Sequence, residues 1–447
     1  MGYLRLSLVA LVFLAGCSTR EPCIREHGAA AVEEQYVLYD LAHYPQDAAA
    51  YAENITPHSE TLELQNGFEA RWFAPWSYTE PPETLEAVEW PFRSYANGDA
   101  YGENLQRLPE SWFAEMYERS NFGAYGTVNR YAVTLRFSHL RCFPTHKPLF
   151  RDPEKAGEGF PFDYLQNSGV HANEPLFVSH YSKEGEWVYV FTSYANGWLP
   201  SHAIAYLSEA HTQKWQAAKQ LYLVRDRVPV KDKAGNFLFN GRIGMMMPAM
   251  ADDGGEELSV LAVTADVDGK AWYTEGRIAR DALSERPLHL DREALPLLAN
   301  RILKSRYGWG GLYEERDCSS TLRDLFTPFG IWLPRNSYQQ SQTGRVISFE
   351  GMDEREKRET IIAEGVPFET LLYRKGHILL YLGTYEGKIM VLHNLWGVKT
   401  TNGIDSDRKI VGKAVISTLE IGSELATYDR EGALLRNLER MNIITQR

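Results

Sequence analysis

The hydrophobic pattern of this 447-residue chain changes character twice, near residue 130 and near residue 291. Between these points, short alternating runs such as 131–137 and 187–191 are separated by turn residues, which is typical of short antiparallel strands. After residue 291, leucine and isoleucine recur at a helical period, and from residue 376 the chain alternates again as strands. Helices followed by a sheet favour an α+β domain in the last third of the chain.

Residues 126–210 and 211–288 each combine short strands, tight turns and tryptophans. The Val-Asp-Gly-Lys sequence at 267–270 lies between two alternating runs and is a strong hairpin signal. A helical patch at 209–220 separates the two stretches. Short strands at this spacing favour one small SH3-like barrel in each stretch. Such barrels alone indicate only a binding module.

The composition allows several packed cores, because 44% of the residues are hydrophobic and 12% are aromatic. It excludes a disordered, collagen-like or coiled-coil protein, and the length corresponds to about three domains of ordinary size. We expect an irregular or helical domain over 17–125, where aromatic and turn residues mix without a clear period. The 47 basic and 59 acidic residues leave a net charge of −12, which argues against nucleic acid as a partner.

The first residues are typical of a bacterial export signal. Arg5 precedes a largely apolar run at 6–15, which is too short to span a bilayer, since a span needs about 20 residues. The run leads into a Leu-Ala-Gly-Cys sequence that ends at Cys17 and resembles the lipobox of bacterial lipoproteins. We therefore expect removal of residues 1–16 and a lipid anchor on Cys17. Ser18 is not the Asp that commonly retains such proteins at an inner membrane, so the periplasmic side of the outer membrane is favoured.

The chain has four cysteines, too few for a disulfide-stapled scaffold. Besides the lipidation candidate, Cys23 and Cys142 could pair in an oxidising periplasm, although the sequence does not decide whether they do. Cys318 is then the odd thiol, and an unpaired cysteine outside the cytoplasm calls for a chemical explanation.

Cys318 stands at the predicted start of a helix, behind the glycine-rich approach Tyr307-Gly-Trp-Gly-Gly. A helix N-terminus presents unpaired N–H groups and positive dipole charge, so we expect it to favour the nucleophilic thiolate. The alternative, a small buried side chain in the first turn of a helix, would be preferred if this cysteine stood alone.

Two histidines lie on strands that read as one hairpin. If the turn is centred on Tyr385, His377 and His393 lie directly opposite each other, with Cβ atoms about 5 Å apart. One imidazole could then take the thiol proton while the other orients it, as in a catalytic triad. Asn394 is the alternative orienting residue, but its side chain should face away because it follows His393 directly on a strand.

These residues resemble the NlpC/P60 family of papain-like cell-wall endopeptidases. The shared pattern runs through Tyr-x-Trp-Gly-Gly at 307–311, Asp-Cys-Ser at 317–319, Leu-Pro-Arg-Asn-Ser at 333–337, Gly-His at 376–377 and a downstream histidine. The two predicted barrels resemble the paired bacterial SH3 domains that precede this domain in one group of members. The resulting organisation is a signal peptide at 1–16, an N-terminal domain at 17–125, SH3-like domains at 126–210 and 211–288, and an NlpC/P60 domain at 289–447.

The resemblance implies a role for each matching residue. Cys318 would be the nucleophile, His377 the base and His393 the orienting residue. Tyr307 would donate to the oxyanion together with the Cys318 N–H, and such donors contribute roughly 3 kcal/mol to the transition state. Residues expected to contact the substrate are Asp317, Ser319, Asn336 and Ser337 from the motif, and Asp163 and Tyr194 from the first barrel.

The implied activity is cleavage of murein stem peptides between γ-D-glutamate and the diamino acid, through a thioester acyl-enzyme. Two positions depart from the family pattern. Asn336 replaces an Asp that would pair with a free L-Ala ammonium, so the pattern does not imply a preference for a free amine. Ser320 replaces a common Gly, a modest change on a helix.

The competing hypothesis from another class is a non-catalytic murein-binding lipoprotein with a degenerate hydrolase domain, which would require a missing active-site group. Acyl transfer through the same thioester is a third reading. We expect no cofactor and no metal, because the chain lacks a His-Glu-x-x-His motif, closely spaced cysteine pairs and glycine loops for phosphate. No oligomeric state is predicted.

Overall fold

The computed structural model describes residues 37–56, 67–96, 99–250, 252, 254–403 and 406–446. Cys17 and Cys23 lie outside the described residues. Leu38–Arg447 form one compact unit. None of the helices in the described ranges is long and apolar enough to cross a bilayer.

The N-terminal part of this unit consists of short helices with an aromatic core. The α-helices are α1 (Tyr39–His43), α2 (Phe68–Trp72), α3 (Leu85–Val88), α4 (Trp90–Tyr95) and α5 (Glu110–Arg119), with 3₁₀ turns at Ala48–Asn54, Ala74–Ser77 and Phe122–Ala124. The segment around α1 packs against the C-terminal region. The buried Asp40 carboxylate accepts from the Thr418 N–H at 2.6 Å, and Gln46 makes two hydrogen bonds with the Ile416 backbone.

A seven-stranded antiparallel sheet follows, here called the first β region. Its strands are β1 (Arg130–Thr134), β2 (Ser138–Arg141), β3 (Gln166–Val170), β4 (Pro175–Tyr181), β5 (Trp187–Phe191), β6 (Asn196–Pro200) and β7 (Ile204–Tyr206), in the order β3-β2-β6-β5-β4-β1-β7. Alternating valine and leucine side chains fill its core. The long connection between β2 and β3 carries residues 142–165 toward the C-terminal region.

The second β region begins after helix α6 (Glu209–Ala217) and contains two sheets over one core. Its strands are β8 (Gln220–Leu223), β9 (Val228–Asp232), β10 (Phe237–Gly241), β11 (Met246–Pro248), β12 (Glu257–Ala265), β13 (Ala271–Ala279) and β14 (Leu283–Ser284). The predicted hairpin is confirmed, because β12 and β13 are paired up to Ala265 and Ala271.

The C-terminal region is a six-stranded antiparallel sheet with helices on both faces. The helices are α7 (Ala294–Ile302), α8 (Cys318–Phe326), α9 (Ser337–Gln340) and α10 (Glu354–Glu364), and the strands are β15 (Arg345–Ser348), β16 (Thr370–Arg374), β17 (His377–Tyr385), β18 (Lys388–Thr401), β19 (Ser406–Thr418) and β20 (Arg440–Ile443). Helices α7 and α8 cover one face and α10 covers the other. The predicted helix start at Cys318 is confirmed.

The β17–β18 hairpin differs from the sequence prediction in its register. The turn is Glu386-Gly387, and pairing runs from Tyr385 opposite Lys388 to Gly383 opposite Met390. A β-bulge at Leu382 then shifts the register, so that Leu380 pairs with Leu392. The expectation that His377 and His393 are directly opposite is therefore wrong. Continued pairing places His393 opposite residue 379, diagonal to His377 on the same face of the hairpin.

The bulge is what puts both histidines on one face. Without it, the two-residue turn would place His393 opposite residue 380, and His377 would then lie on the other face because side chains alternate along a strand. Gly383 supplies the backbone conformation of the bulge, with a φ of 99° that favours glycine. This local irregularity therefore determines whether the two imidazoles can meet.

Candidate active site

The N-terminus of α8 is fixed by a capping box. The Asp317 carboxylate accepts from the Ser320 N–H at 2.8 Å, while the Ser320 hydroxyl accepts from the Asp317 N–H at 2.9 Å. The serine that replaces the family's common glycine therefore has a structural use. Cys318 is the first residue of α8, where helical N–H groups lack a partner four residues back.

The Cys318 thiol lies in an apolar environment and is only 9% exposed. Burial, with the neighbouring Asp317 carboxylate, raises the pKa of this thiol to about 12, although the Ile378 N–H that faces it acts in the opposite direction. Burial therefore acts against the thiolate that the helix N-terminus is expected to favour, and the resting thiolate stays a prediction.

His377, His393 and Ser417 form a linear chain of hydrogen bonds. The His377 Nε2 atom lies 2.9 Å from the His393 Nδ1 atom, and the His393 Nε2 atom lies 3.1 Å from the Ser417 hydroxyl oxygen. Burial, with the nearby Arg374, lowers the pKa of His377 to about 3, and burial also lowers the pKa of His393. Both imidazoles are therefore neutral at ordinary pH.

The donor and acceptor of each hydrogen bond in this chain can be assigned by starting from Ser417. The Ser417 hydroxyl donates to the Thr418 carbonyl at 2.8 Å, so its oxygen is left to accept from His393 Nε2–H. A neutral His393 then has an unprotonated Nδ1, which accepts from His377 Nε2–H. The lone pair of His377 is consequently on Nδ1, which is the nitrogen left to act as a base.

Asn394 does not take part in this chain. Its amide nitrogen donates to the Arg316 carbonyl at 2.8 Å, on the α8 side of the sheet. The alternation expected from the sequence holds, and the structure brings His393 rather than Asn394 against His377. Sequence reasoning missed Ser417, which lies on β19 and carries no motif that would have drawn attention to it.

The glycine-rich segment before α8 lies against the first β region. A Cβ atom on Gly310 would come 2.5 Å from the Gln166 carbonyl oxygen, and one on Gly311 would come 2.7 Å from the Gly169 nitrogen. Both glycines also have positive φ angles, 57° and 85°. The Trp309 indole N–H donates to the Asp163 carbonyl at 2.9 Å. The two glycines therefore allow a close approach between the two domains beside the thiol.

Tyr307 stands at the start of this segment, with its ring centroid 5.7 Å from that of Trp396. Burial, together with the neighbouring Cys318 and Asp317, raises the pKa of the Tyr307 phenol well above its ordinary value. The phenol therefore stays protonated at any pH at which the protein works and remains a hydrogen-bond donor.

Asp317 and Ser319 are held by a buried arginine that sequence reasoning did not single out, although it lies in the quoted Leu-Pro-Arg-Asn-Ser motif. Arg335 donates to Asp317 Oδ2 at 2.7 Å and to the Ser319 hydroxyl at 2.9 Å. Its Nε atom donates to the Ser168 hydroxyl of the first β region at 2.8 Å. Burial acts to raise the pKa of Asp317, but Arg335 outweighs it and keeps this pKa lowered.

The remaining predicted substrate contacts have structural partners of their own. Asn336 is exposed, and its side chain caps α9 by accepting from the Gln339 N–H at 2.8 Å. The buried Asp163 carboxylate pairs with Arg141 at 2.6 Å. The Arg323 guanidinium lies over the Tyr194 ring, with its Cζ atom 3.7 Å from the ring centroid. Ser337 is half-buried as the first residue of α9.

A cavity of about 230 Å³ adjoins His377 and is lined by Tyr307, Trp309 and Trp396. It shares Phe162 and Arg408 with a larger cavity of about 550 Å³ beneath residues 153–162 of the first β region. In the described part of the chain, no group of three or more His, Cys, Asp or Glu side chains is arranged to hold a metal ion. The site thus combines a thiol, a neutral imidazole pair and a cleft between domains.

Four family models match successive parts of the chain. They are the N-terminal stabilising domain of NlpC/P60 proteins over 6–125, an SH3 domain of SH3b1 type over 148–200, an SH3 domain of SH3b2 type over 208–253, and the NlpC/P60 family over 304–409. No curated protein is detectably similar in sequence.

Among solved structures, the chain resembles an NlpC/P60 endopeptidase from Photobacterium damselae subsp. piscicida, with a TM-score of 0.78 and 22% identity over 90% of this chain and 98% of that one. An NlpC/P60 family protein from Bacillus cereus aligns with a TM-score of 0.41 and 15% identity over 62% of this chain and 82% of that one.

These matches confirm the predicted architecture, in which two SH3 domains lie between an N-terminal domain and a C-terminal α+β hydrolase domain. The chain therefore carries an NlpC/P60 domain over residues 304–409, the domain of a family of peptidoglycan hydrolases whose members are cysteine peptidases.

Proposed function

We propose that the protein is a cysteine endopeptidase that cleaves murein stem peptides between γ-D-glutamate and the diamino acid. The observation that carries this proposal is the hydrogen-bond chain from Ser417 through His393 to His377, at the strand whose Ile378 N–H faces the Cys318 thiol. A buried chain of this kind has a ready use in catalysis, since it leaves one imidazole nitrogen free as a base.

Acylation begins from a neutral pair. The Cys318 thiol proton passes to His377 Nδ1 as the sulfur attacks the γ-carbonyl carbon of D-glutamate. The oxyanion accepts hydrogen bonds from the Tyr307 phenol and the Cys318 N–H. When the C–N bond breaks, His377 returns the proton to the leaving amine, and a thioester remains on Cys318.

Deacylation repeats these steps with water. His377 Nδ1 takes a proton from a water molecule, whose oxygen attacks the thioester carbonyl. The C–S bond breaks, the sulfur recovers the proton, and the glutamyl carboxylate is released. Because burial disfavours both the thiolate and the imidazolium, proton transfer and attack occur together rather than from a resting ion pair.

We also propose that Cys17 carries a lipid anchor and that the folded part lies on the periplasmic side of a bacterial membrane, with the outer membrane favoured. The support is the lipobox-like sequence that ends at Cys17 and the serine that follows it. Several acyl chains on one residue would anchor the protein stably, since each buried CH₂ contributes about 0.8 kcal/mol. Fatty-acid labelling that persists in Cys17→Ala would contradict this.

The enzyme proposal is tested by replacing Cys318 with alanine. We expect release of diamino-acid peptides from purified muropeptides to fall by roughly a thousandfold or more, because removing a nucleophile removes the acyl-enzyme route. Chromatography with mass analysis of the products identifies the bond that is cut. Cys142→Ala is the matched control, since Cys142 is also a buried free thiol but lies in the first β region. It should retain activity.

Unchanged cleavage by Cys318→Ala would overturn the mechanism. Absence of any cleavage by the wild-type protein, together with retained murein binding, would instead support the non-catalytic alternative. Cleavage at a different peptide bond would contradict the proposed specificity and leave the cysteine chemistry in place.

A further inference from the structure

The cavity beside His377 has a strongly cationic wall. Arg374 and Lys375 lie at the β16–β17 turn, immediately before His377, and Arg408 reaches the cavity from β19. Aromatic side chains also line this cavity. Positive charge at such a place has to be compensated either by the protein or by a ligand.

Within the described part of the chain, the carboxylates of Asp429 and Asp407 act on Arg408 only from beyond ion-pair distance. Its guanidinium forms no ion pair there, and its buried Nη1 atom has no hydrogen-bond partner. The guanidinium lies under Gly157 of the first β region, where an added Cβ atom would come 3.6 Å from Nη2. The group is therefore held partly desolvated where the two cavities adjoin, without a carboxylate of the described residues in ion-pair contact.

In the described ranges Arg374 also lacks an ion pair, and the Glu439 carboxylate acts on it only from beyond ion-pair distance. Its Nη1 atom donates to the Gly432 carbonyl at 3.1 Å, but no carboxylate of the described residues lies within ion-pair distance. Burial, with the Arg374 charge, lowers the pKa of Arg408. Lys399 of the same cavity differs, since it pairs with Asp429 at 2.7 Å. Two guanidinium groups that line one cavity and have no described carboxylate in ion-pair contact can hold an anion, and planar carboxylates fit them best.

The reaction decides which part of the substrate occupies this cavity. His377 protonates the leaving amine, so the amine nitrogen has to come within hydrogen-bond reach of that imidazole. The residue that carries the amine is the diamino acid. His377 lines the cavity together with Arg374 and Arg408. We therefore place the side chain of the diamino acid in this cavity, toward the two guanidinium groups.

We propose that Arg374 and Arg408 bind the side-chain carboxylate of the diamino acid and thereby select diaminopimelate over lysine. This inference rests on the proposed function. Diaminopimelate equals lysine with one additional carboxylate beside the terminal amine, so it alone can neutralise the arginine pair. Asp407 and Glu154, which line the adjoining larger cavity, offer carboxylates to the amine at the same end.

A carboxylate bound here would also act on the catalytic base. Arg374 is one of the groups that lower the pKa of His377. A carboxylate paired with Arg374 offsets that charge, so His377 becomes a better base only when the substrate is in place. We therefore expect the preference for diaminopimelate to be expressed in kcat as well as in KM.

The test uses two tetrapeptides, L-Ala-γ-D-Glu-X-D-Ala, in which X is diaminopimelate or lysine. The terminal D-Ala removes the main-chain carboxylate of X as an alternative ligand. We expect the wild-type protein to prefer diaminopimelate by roughly 10- to 100-fold in kcat/KM, as for charge-assisted hydrogen bonds. Arg408→Gln should reduce this ratio toward one by slowing only the diaminopimelate peptide. Arg374→Gln should also reduce the ratio, while the loss of its charge beside His377 changes the rates on both peptides by a common factor. Lys399→Gln is the matched control and should keep the ratio.

A third peptide distinguishes the source of the carboxylate. If D-isoglutamine replaces D-glutamate, the carboxylate of the preceding residue is lost instead. The ratio of the glutamate to the isoglutamine peptide should not change in either arginine variant. A change there, or an equal wild-type rate on diaminopimelate and lysine, or an unaltered ratio in both variants, would overturn the proposal.

These outcomes stay separate from failure of the proposed function. If the γ-D-glutamyl bond of neither peptide is cut, the enzyme proposal fails. If both are cut equally in a manner that requires Cys318, only the selectivity proposal fails. Melting temperatures of the arginine variants close to that of the wild-type protein exclude unfolding as the cause of a changed ratio.

Discussion

At the scale of single residues, the state of the catalytic base depends on a hydroxyl that never meets the substrate. Ser417 accepts from His393 because its own proton is committed to the Thr418 carbonyl. That commitment sets the tautomer of His393 and, through it, the tautomer of His377. Ser417 is a positioning residue. It raises the fraction of molecules in which neutral His377 has its lone pair on Nδ1.

We predict that Ser417→Ala lowers kcat by about tenfold with little change in KM, because the lost hydrogen bond, worth about 1.4 kcal/mol, no longer biases the tautomers. Ser417→Thr retains the hydroxyl and should restore most of the rate. Steady-state kinetics on a stem peptide measure both variants. A rise in KM at unchanged kcat, or no rescue by threonine, would show that Ser417 has only a structural role.

At the scale of elements, the β17–β18 hairpin has to be irregular for the site to exist. The bulge at Leu382 brings His377 and His393 to one face, and Gly383 adopts the conformation that the bulge requires. Gly383 also packs closely against the N-terminal segment, since an added Cβ atom would lie 2.4 Å from Asn54 Nδ2. The bulge is thus held from outside, by the Asn54 side chain that donates to the Leu382 carbonyl at 3.0 Å.

Gly383→Ala should lower the free energy of unfolding by about 2–4 kcal/mol, through the positive φ and the overlap with Asn54 together. Gly387→Ala is the matched control, because Gly387 also has a positive φ but no neighbour within 4 Å of an added Cβ atom. Its cost should be about 1 kcal/mol. Urea unfolding measures both, and equal losses would contradict a role for the packing against Asn54.

At the scale of the whole molecule, several buried histidines make the free energy of unfolding depend on pH. Burial lowers the pKa of His139, His171 and His180 to about 4 and that of His377 to about 3. In the unfolded chain these groups take a proton near pH 6.5. Below that pH the unfolded state binds more protons than the folded state, so stability is full above pH 6.5 and falls as the pH falls toward 4.

We predict a loss of stability that approaches about 1.4 kcal/mol per pH unit for each of the four histidines. Glu174 opposes it by one proton, because burial raises the pKa of this carboxyl to about 7. Urea unfolding between pH 7 and pH 5 measures the slope. His180→Phe should reduce the slope by the contribution of one proton, about 1.4 kcal/mol per pH unit. An unchanged slope in His180→Phe would refute the assignment.

Much of the site could be predicted where the relevant physics is local. Asp317 and Ser320 stand three residues apart, the spacing of a capping box, so the start of α8 is readable along the chain. The alternation of side chains along a strand likewise separates His393 from Asn394. The hairpin register was predicted incorrectly because a bulge depends on what packs against it. Here the packing residue is Asn54, which lies 328 residues before Leu382 in the chain.

The sequence by itself determined the residue types of the reaction, the helix that presents the thiol and the order of the domains, because caps, turns and hydrophobic periods act between near neighbours. Only the tertiary structure decided how deeply the thiol and the imidazoles are buried and which distant residues contact them. Burial acts against the expected thiolate. Arg335 links Asp317 to Ser168, which precedes the arginine by 167 residues, and Arg374 and Arg408 line one cavity with His377. Desolvation and long-range pairing depend on which surfaces meet, and that is settled only when the chain has folded.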